Sequence, residues 1–122
     1  MNIILWILQI LLGLVFIAAG YNHGFNIKKA RTQMVWMNAV SDNLLVFIGA
    51  SEILGGVGLI LPAVTRILPV LTAWAATGLA VVMVLAAVFH LTRREYQNII
   101  FNLILFALAA FVAYGRFVLV SF

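Results

Sequence analysis

Few residues in this chain of 122 could do chemistry: Glu52, the histidines His23 and His90, the amides Asn98 and Asn102, and the phenol of Tyr21. Glu52 interrupts an apolar run from Leu44 to Leu61 and stands about ten residues from either end of it. At about 1.5 Å per residue, that places its carboxyl near the middle of the run. A carboxyl in an apolar medium must be protonated or partnered, because desolvation disfavours the charged form. Histidine titrates near neutrality and suits proton exchange with such an acid. The amides and the phenol add hydrogen-bonding groups. These residue types support binding of a polar head and movement of a proton. Two histidines and one mid-run glutamate are too few and too poorly spaced for a metal or haem site.

The elements that must position these groups follow from composition. The chain is 66% hydrophobic and 8% charged, with seven Lys and Arg against three Asp and Glu and a formal net charge of +4. A soluble domain is about a quarter charged, and a chain this small cannot hide so much apolar surface within itself. A soluble monomer is excluded, and so is a disordered chain, which needs low hydrophobicity. The positive residues sit in short clusters between apolar runs. That arrangement orients membrane proteins and does not point to nucleic acid. There is no cysteine, so no disulfide or thiol relay is carried here.

Four apolar runs predict helices at roughly 2–22, 43–61, 69–92 and 96–118. Each run matches a hydrocarbon core about 30 Å thick. The backbone must satisfy itself in lipid, so each should be helical. Short connections make them an all-α, antiparallel four-helix bundle, a single transmembrane domain over 1–122. Ser41, Asp42 and Asn43 offer N-caps for the second helix. Pro62 is expected to end that helix and Pro69 to open the third. No Lys or Arg precedes the first run, which is read as a retained helix and not a signal peptide. Lys28, Lys29 and Arg31 followed by Met34-Val35-Trp36-Met37 predict a short interfacial helix between the first two spans. This loop end also carries Arg93 and Arg94, whereas the far end carries Arg66, Arg116 and the free N-terminus. The positive-inside rule puts the loop end in the cytoplasm and both termini outside. Arg66 and Arg116 are expected to snorkel to the far headgroups.

Small and polar residues share helix faces. Gly49, Glu52 and Gly56 align on the second run, and Gln9, Gly13, Phe16, Gly20 and His23 on the first. The third carries Thr72, Ala76, Met83, Ala87 and His90, and the fourth Asn98, Asn102 and Ala109. Such stripes serve close helix packing, with Gly13, Gly20, Gly49 and Gly56 the natural contact points. Antiparallel topology gathers Tyr21, His23, His90, Asn98 and Asn102 in the loop-end half, with Glu52 as their floor. The expectation is a pocket opening toward the loop end, with Trp36 and Met37 over its mouth and His90 paired with Glu52 or with a ligand carbonyl.

The stretches Leu5-Trp6-Ile7-Leu8-Gln9, Gly49-Ala50-Ser51-Glu52-Ile53-Leu54-Gly55-Gly56, Val88-Phe89-His90 and Ala113-Tyr114-Gly115-Arg116-Phe117 together resemble the DoxX-like family of small four-helix bacterial membrane proteins. The resemblance covers nearly the whole chain and implies a multi-pass protein of the bacterial inner membrane. Relatives include a membrane subunit of a thiosulfate–quinone oxidoreductase, a partner of redox-defence enzymes and, more distantly, animal receptor-assembly chaperones. Without a cofactor or thiol motif, the chain is not expected to be a redox enzyme by itself. The leading expectation is a quinone- or lipid-binding subunit of a membrane redox complex. In it a ligand carbonyl takes a hydrogen bond from His90 or Asn102, and Glu52 exchanges a proton. The alternatives are a non-enzymatic interaction or assembly partner and, against the lack of a repeat, a small transporter or proton pathway. The partners left open are membrane lipid, a second copy of the chain and a redox protein. No covalently held cofactor is implied.

Overall fold

The computed structural model describes residues 1–120, which are helical with no strand among them. In chain order the elements are α1 (Asn2–Phe25), α2 (Ile27–Gln33), a 3₁₀ turn (Val35–Ala39), α3 (Asp42–Thr65), α4 (Leu71–Thr92), α5 (Tyr96–Tyr114) and a π-helical turn (Gly115–Leu119). The helices α1, α3, α4 and α5 with its π turn are each long and apolar enough to cross a membrane. Their outer faces present Ile3, Leu14, Leu54, Leu85 and Ile100 to the surroundings. Apolar exposure on that scale needs a hydrocarbon solvent. The protein is therefore an integral, multi-pass membrane protein built as an antiparallel four-helix bundle, with the short α2 and 3₁₀ turn in the one long connection.

Two tight helix pairs make the bundle. One is α1 with α3, the other α4 with α5; α3 and α4 join the pairs, while α1 and α5 touch only lightly. The first pair is set by glycine. A Cβ at Gly20 would lie 2.5 Å from the Gly49 carbonyl oxygen, and one at Gly56 would lie 2.6 Å from that of Gly13. Glycines seven apart on each helix thus meet their counterparts, backbone against backbone. Without a hydrophobic drive between helices in lipid, this close approach supplies the packing. Between α3 and α4, Gly55 receives the Leu79 side chain and Gly58 the Ala75 methyl. Leu12, Phe16, Leu59, Leu79, Met83 and Ala109 fill the shared core.

Helix boundaries follow local chemistry, with two departures from the sequence expectation. Ser41 caps α3, its Oγ accepting from the Leu44 amide at 3.3 Å. Pro62 does not end α3, which runs one turn further to Thr65 and stops at Arg66 in the left-handed region. Proline removes only its own amide bond, and in lipid the remaining backbone groups have no partner other than the helix. Pro69 does not open α4 either. It lies in the preceding turn, and its carbonyl accepts from the Thr72 amide at 3.1 Å.

The glycine contact leads to a test by substitution. Gly49→Ala or Gly56→Ala pushes a methyl into a facing backbone and should cost about 1–3 kcal/mol of stability in detergent unfolding. Gly78, where an added methyl would meet nothing within 4 Å, is the control. Gly78→Ala should be neutral or stabilise by up to about 1 kcal/mol through helix propensity. Equal effects at Gly49 and Gly78 would contradict the packing described.

Candidate functional site

Glu52 is 2% exposed, on the α3 face that meets α1. The glycine contact brings α1 close enough for His23, at its loop-end turn, to reach across. His23 Nδ1 and Glu52 Oε1 lie 2.6 Å apart. The partner of Glu52 is therefore His23 and not His90. An imidazolium–carboxylate pair and an imidazole–carboxylic acid pair are both net neutral. A proton can thus shift across this contact without charging the bundle interior, which is what a mid-membrane acid requires.

His90 has its own carboxylate. The α4–α5 turn is a Schellman motif: the Glu95 amide donates to the His90 carbonyl at 2.9 Å, and the Arg94 amide to the Leu91 carbonyl at 3.2 Å. Arg94 takes the left-handed position, φ 58°, which glycine usually fills. The turn folds Glu95 back so that its Oε1 accepts from His90 Nδ1 at 2.9 Å and from Arg93 Nε at 3.0 Å. The Asn98 amide approaches the same His90 nitrogen at 3.4 Å. Sequence reasoning missed Glu95, since Thr92-Arg93-Arg94-Glu95 looks like an ordinary polar turn. Its one signal was the spacing of an acid five residues beyond a histidine at a helix end.

Trp36 stands between the two pairs. Its indole makes edge-on contacts with His23 at 5.2 Å and His90 at 5.5 Å between ring centroids. The connecting segment holds it there. Met37 and Ala30 are buried with Val40 and Leu45. Arg31 ties the segment to α3, donating to the Val40 carbonyl at 2.8 Å and pairing with Asp42 at 2.7 Å. Beneath Trp36 lies an apolar cavity of about 390 Å³ in the loop-end half of the bundle. Phe16, Phe47, Met83 and Phe89 are among its walls, with His23, Glu52, His90 and Asn102 as its polar points. A more polar vestibule on the loop-end side shares His23, Trp36, His90 and Asn102 and adds Glu95 and Asn98.

Of the six candidate residues, Glu52, His23, His90, Asn102 and Asn98 thus line the cavity, the vestibule or both. Tyr21 does not: it is 54% exposed on the outer face of α1 and lines neither compartment. Arg116 does not snorkel. The π turn directs it inward, 3% exposed, where it donates to the side chains of Gln9 and Asn2 and lies over the Trp6 ring. Gln9 in turn donates to the Leu59 carbonyl at 3.1 Å, tying α5 through α1 to α3 at the far end. Among the described residues, no three His, Cys, Asp or Glu side chains gather to hold a metal ion.

A polytopic helical protein with a buried acid–histidine pair flanking an apolar cavity is the class that this geometry defines. A profile of the DoxX-like family matches residues 7–112, and the chain belongs to that family. No curated protein and no solved structure gives a significant match.

Two predictions come from the turn. Arg94→Gly should raise stability by up to about 1 kcal/mol by relieving the left-handed backbone, whereas Arg94→Val should lower it. For Glu95, burial raises the pKa, but hydrogen bonds from His90 and Arg93 and their positive charge outweigh it, so the carboxyl lies below the ordinary 4.5. A folded-state pKa below the unfolded one means the contact stabilises above the unfolded value and is lost as pH falls through the lowered folded pKa. Glu95→Gln should therefore lower the melting temperature at pH 7 and flatten its decline under acid. An unchanged pH profile in the variant would remove Glu95 from this role.

Proposed function

We propose that the protein binds a quinone or lipid-like molecule in this cavity, as a membrane subunit of a redox complex. The observation that carries the reading is an apolar chamber bordered by two separate carboxylate-backed imidazoles. Ligand pockets of this kind have apolar walls and a few convergent polar groups. Reduction of a quinone to a quinol takes up two electrons and two protons. The Glu52–His23 and Glu95–His90 pairs supply one proton each, and the vestibule reloads them from the loop end. The electrons come from a partner protein, because the chain carries no redox group of its own. The loop end, with Lys28, Lys29, Arg31, Arg93 and Arg94, faces the cytoplasm of a bacterial inner membrane. With Arg116 turned inward, Arg66 is the exposed basic side chain of the far end among the described residues, which sharpens the asymmetry.

The test is copurification. Wild type and Glu52→Gln are isolated in mild detergent, and the extracted small molecules are identified by mass spectrometry. A stoichiometric quinone or defined lipid in wild type, reduced about tenfold or more in the variant, is the expected result. Two folded proteins carrying only bulk lipid would reject the reading and favour an assembly partner.

A further inference from the structure

Resting on the binding role just proposed, we infer that the ligand has an uncharged, acceptor-bearing head, and that it reaches the cavity sideways from the loop-end leaflet, between α3 and α4. The head follows from the polar groups at the wall. The Asn102 side-chain nitrogen is buried, in a residue 8% exposed, and has no hydrogen-bond partner among the described residues. A buried amide donor without a partner is costly, and Asn102 borders both the cavity and the vestibule. A carbonyl or ether oxygen placed there would satisfy it. No Lys or Arg lines either compartment. The His23–Glu52 pair adds no net positive charge, and Arg93 stands outside the lining with its guanidinium engaged by Glu95, the carboxylate that also faces His90. A phosphate head would therefore be desolvated without a counter-charge, a heavy penalty.

The route follows from how α3 and α4 pack. In the far half they close on Gly55 and Gly58. In the loop-end half their facing residues line the cavity, Phe47 and Ser51 on one side and Leu85 and Phe89 on the other. Phe47 and Leu85 are the most exposed large side chains of that lining, at 68% and 65%. They are lips open to the bilayer, and Ser51 between them spends its hydroxyl on the Phe47 carbonyl at 2.8 Å. An apolar tail can lie between the lips while the head reaches Asn102.

The probe is a decyl-benzoquinone with a photoreactive diazirine at the tail end, used on full-length protein in phosphatidylcholine nanodiscs. Labelling should be saturable, fall on residues 44–51 and 82–89, and be competed by unmodified decyl-benzoquinone but not by phosphatidic acid. Asn102→Leu should weaken binding about five- to tenfold. Leu85→Trp, at an exposed position that leaves the fold alone, should reduce labelling by narrowing the gap. Saturable labelling on α1 and α5, near Val15 and Phe101, would overturn the α3–α4 route while leaving the cavity as the binding site. Competition by phosphatidic acid, or unchanged affinity in a folded Asn102→Leu protein, would overturn the uncharged head. Absence of saturable binding would remove the quinone reading itself.

Discussion

A carboxyl group buried near the middle of an apolar membrane-spanning helix has to be neutralised from inside the bundle, and Glu52 is that group. Its partner must come from a neighbouring helix, and the helix that can approach closely enough is the one whose glycines face Gly49 and Gly56. The close pairing of α1 with α3 and the 2.6 Å contact of His23 with Glu52 are therefore one arrangement seen at two scales. Substitutions that open the glycine contact also lengthen the acid–histidine pair. Stability and site chemistry are coupled through the same interface.

The rest of the loop-end half is organised around that pair. The second histidine is fixed by a turn, not by a helix contact. The Schellman geometry at Arg94 returns Glu95 to His90, and the backbone strain at Arg94 is the cost of that return. Trp36 bridges the two imidazoles and is itself seated by the buried Met37 and the Arg31–Asp42 tie. The far end is closed by a different polar cluster, Arg116 with Gln9 and Asn2, which holds α5 to the α1–α3 pair where direct contact between α1 and α5 is slight. One end is thus locked and the other is built around an opening.

Much of this was legible in the sequence, and the exceptions have physical causes. Four spans, the burial of Glu52 and the glycine stripes are written in composition and periodicity, because lipid allows only helices and penalises a stray charge. The choice of His23 over His90 was not, since both histidines sit at the same end on helices that flank α3, and the outcome depends on which of the two approaches α3 more closely. The heptad spacing of Gly13 with Gly20 and of Gly49 with Gly56 was the available signal. Pro62 misled because a proline near a helix end deletes one hydrogen bond without forbidding the next turn in an apolar medium. Arg116 misled because its inward direction depends on the π turn at Gly115–Leu119, which periodicity does not reveal.

The most direct measurement is nitrogen NMR on protein labelled with ¹⁵N-histidine, comparing wild type with Glu52→Gln and Glu95→Gln. The chain has two histidines, so its spectrum resolves into two rings. The account predicts that Glu52→Gln moves the ring signals of His23 and leaves those of His90 nearly in place, and that Glu95→Gln does the reverse. If Glu52→Gln moved His90 instead, or neither ring, the carboxyl would not be neutralised by His23, and the arrangement of α1 against α3 as the basis of the site would be wrong.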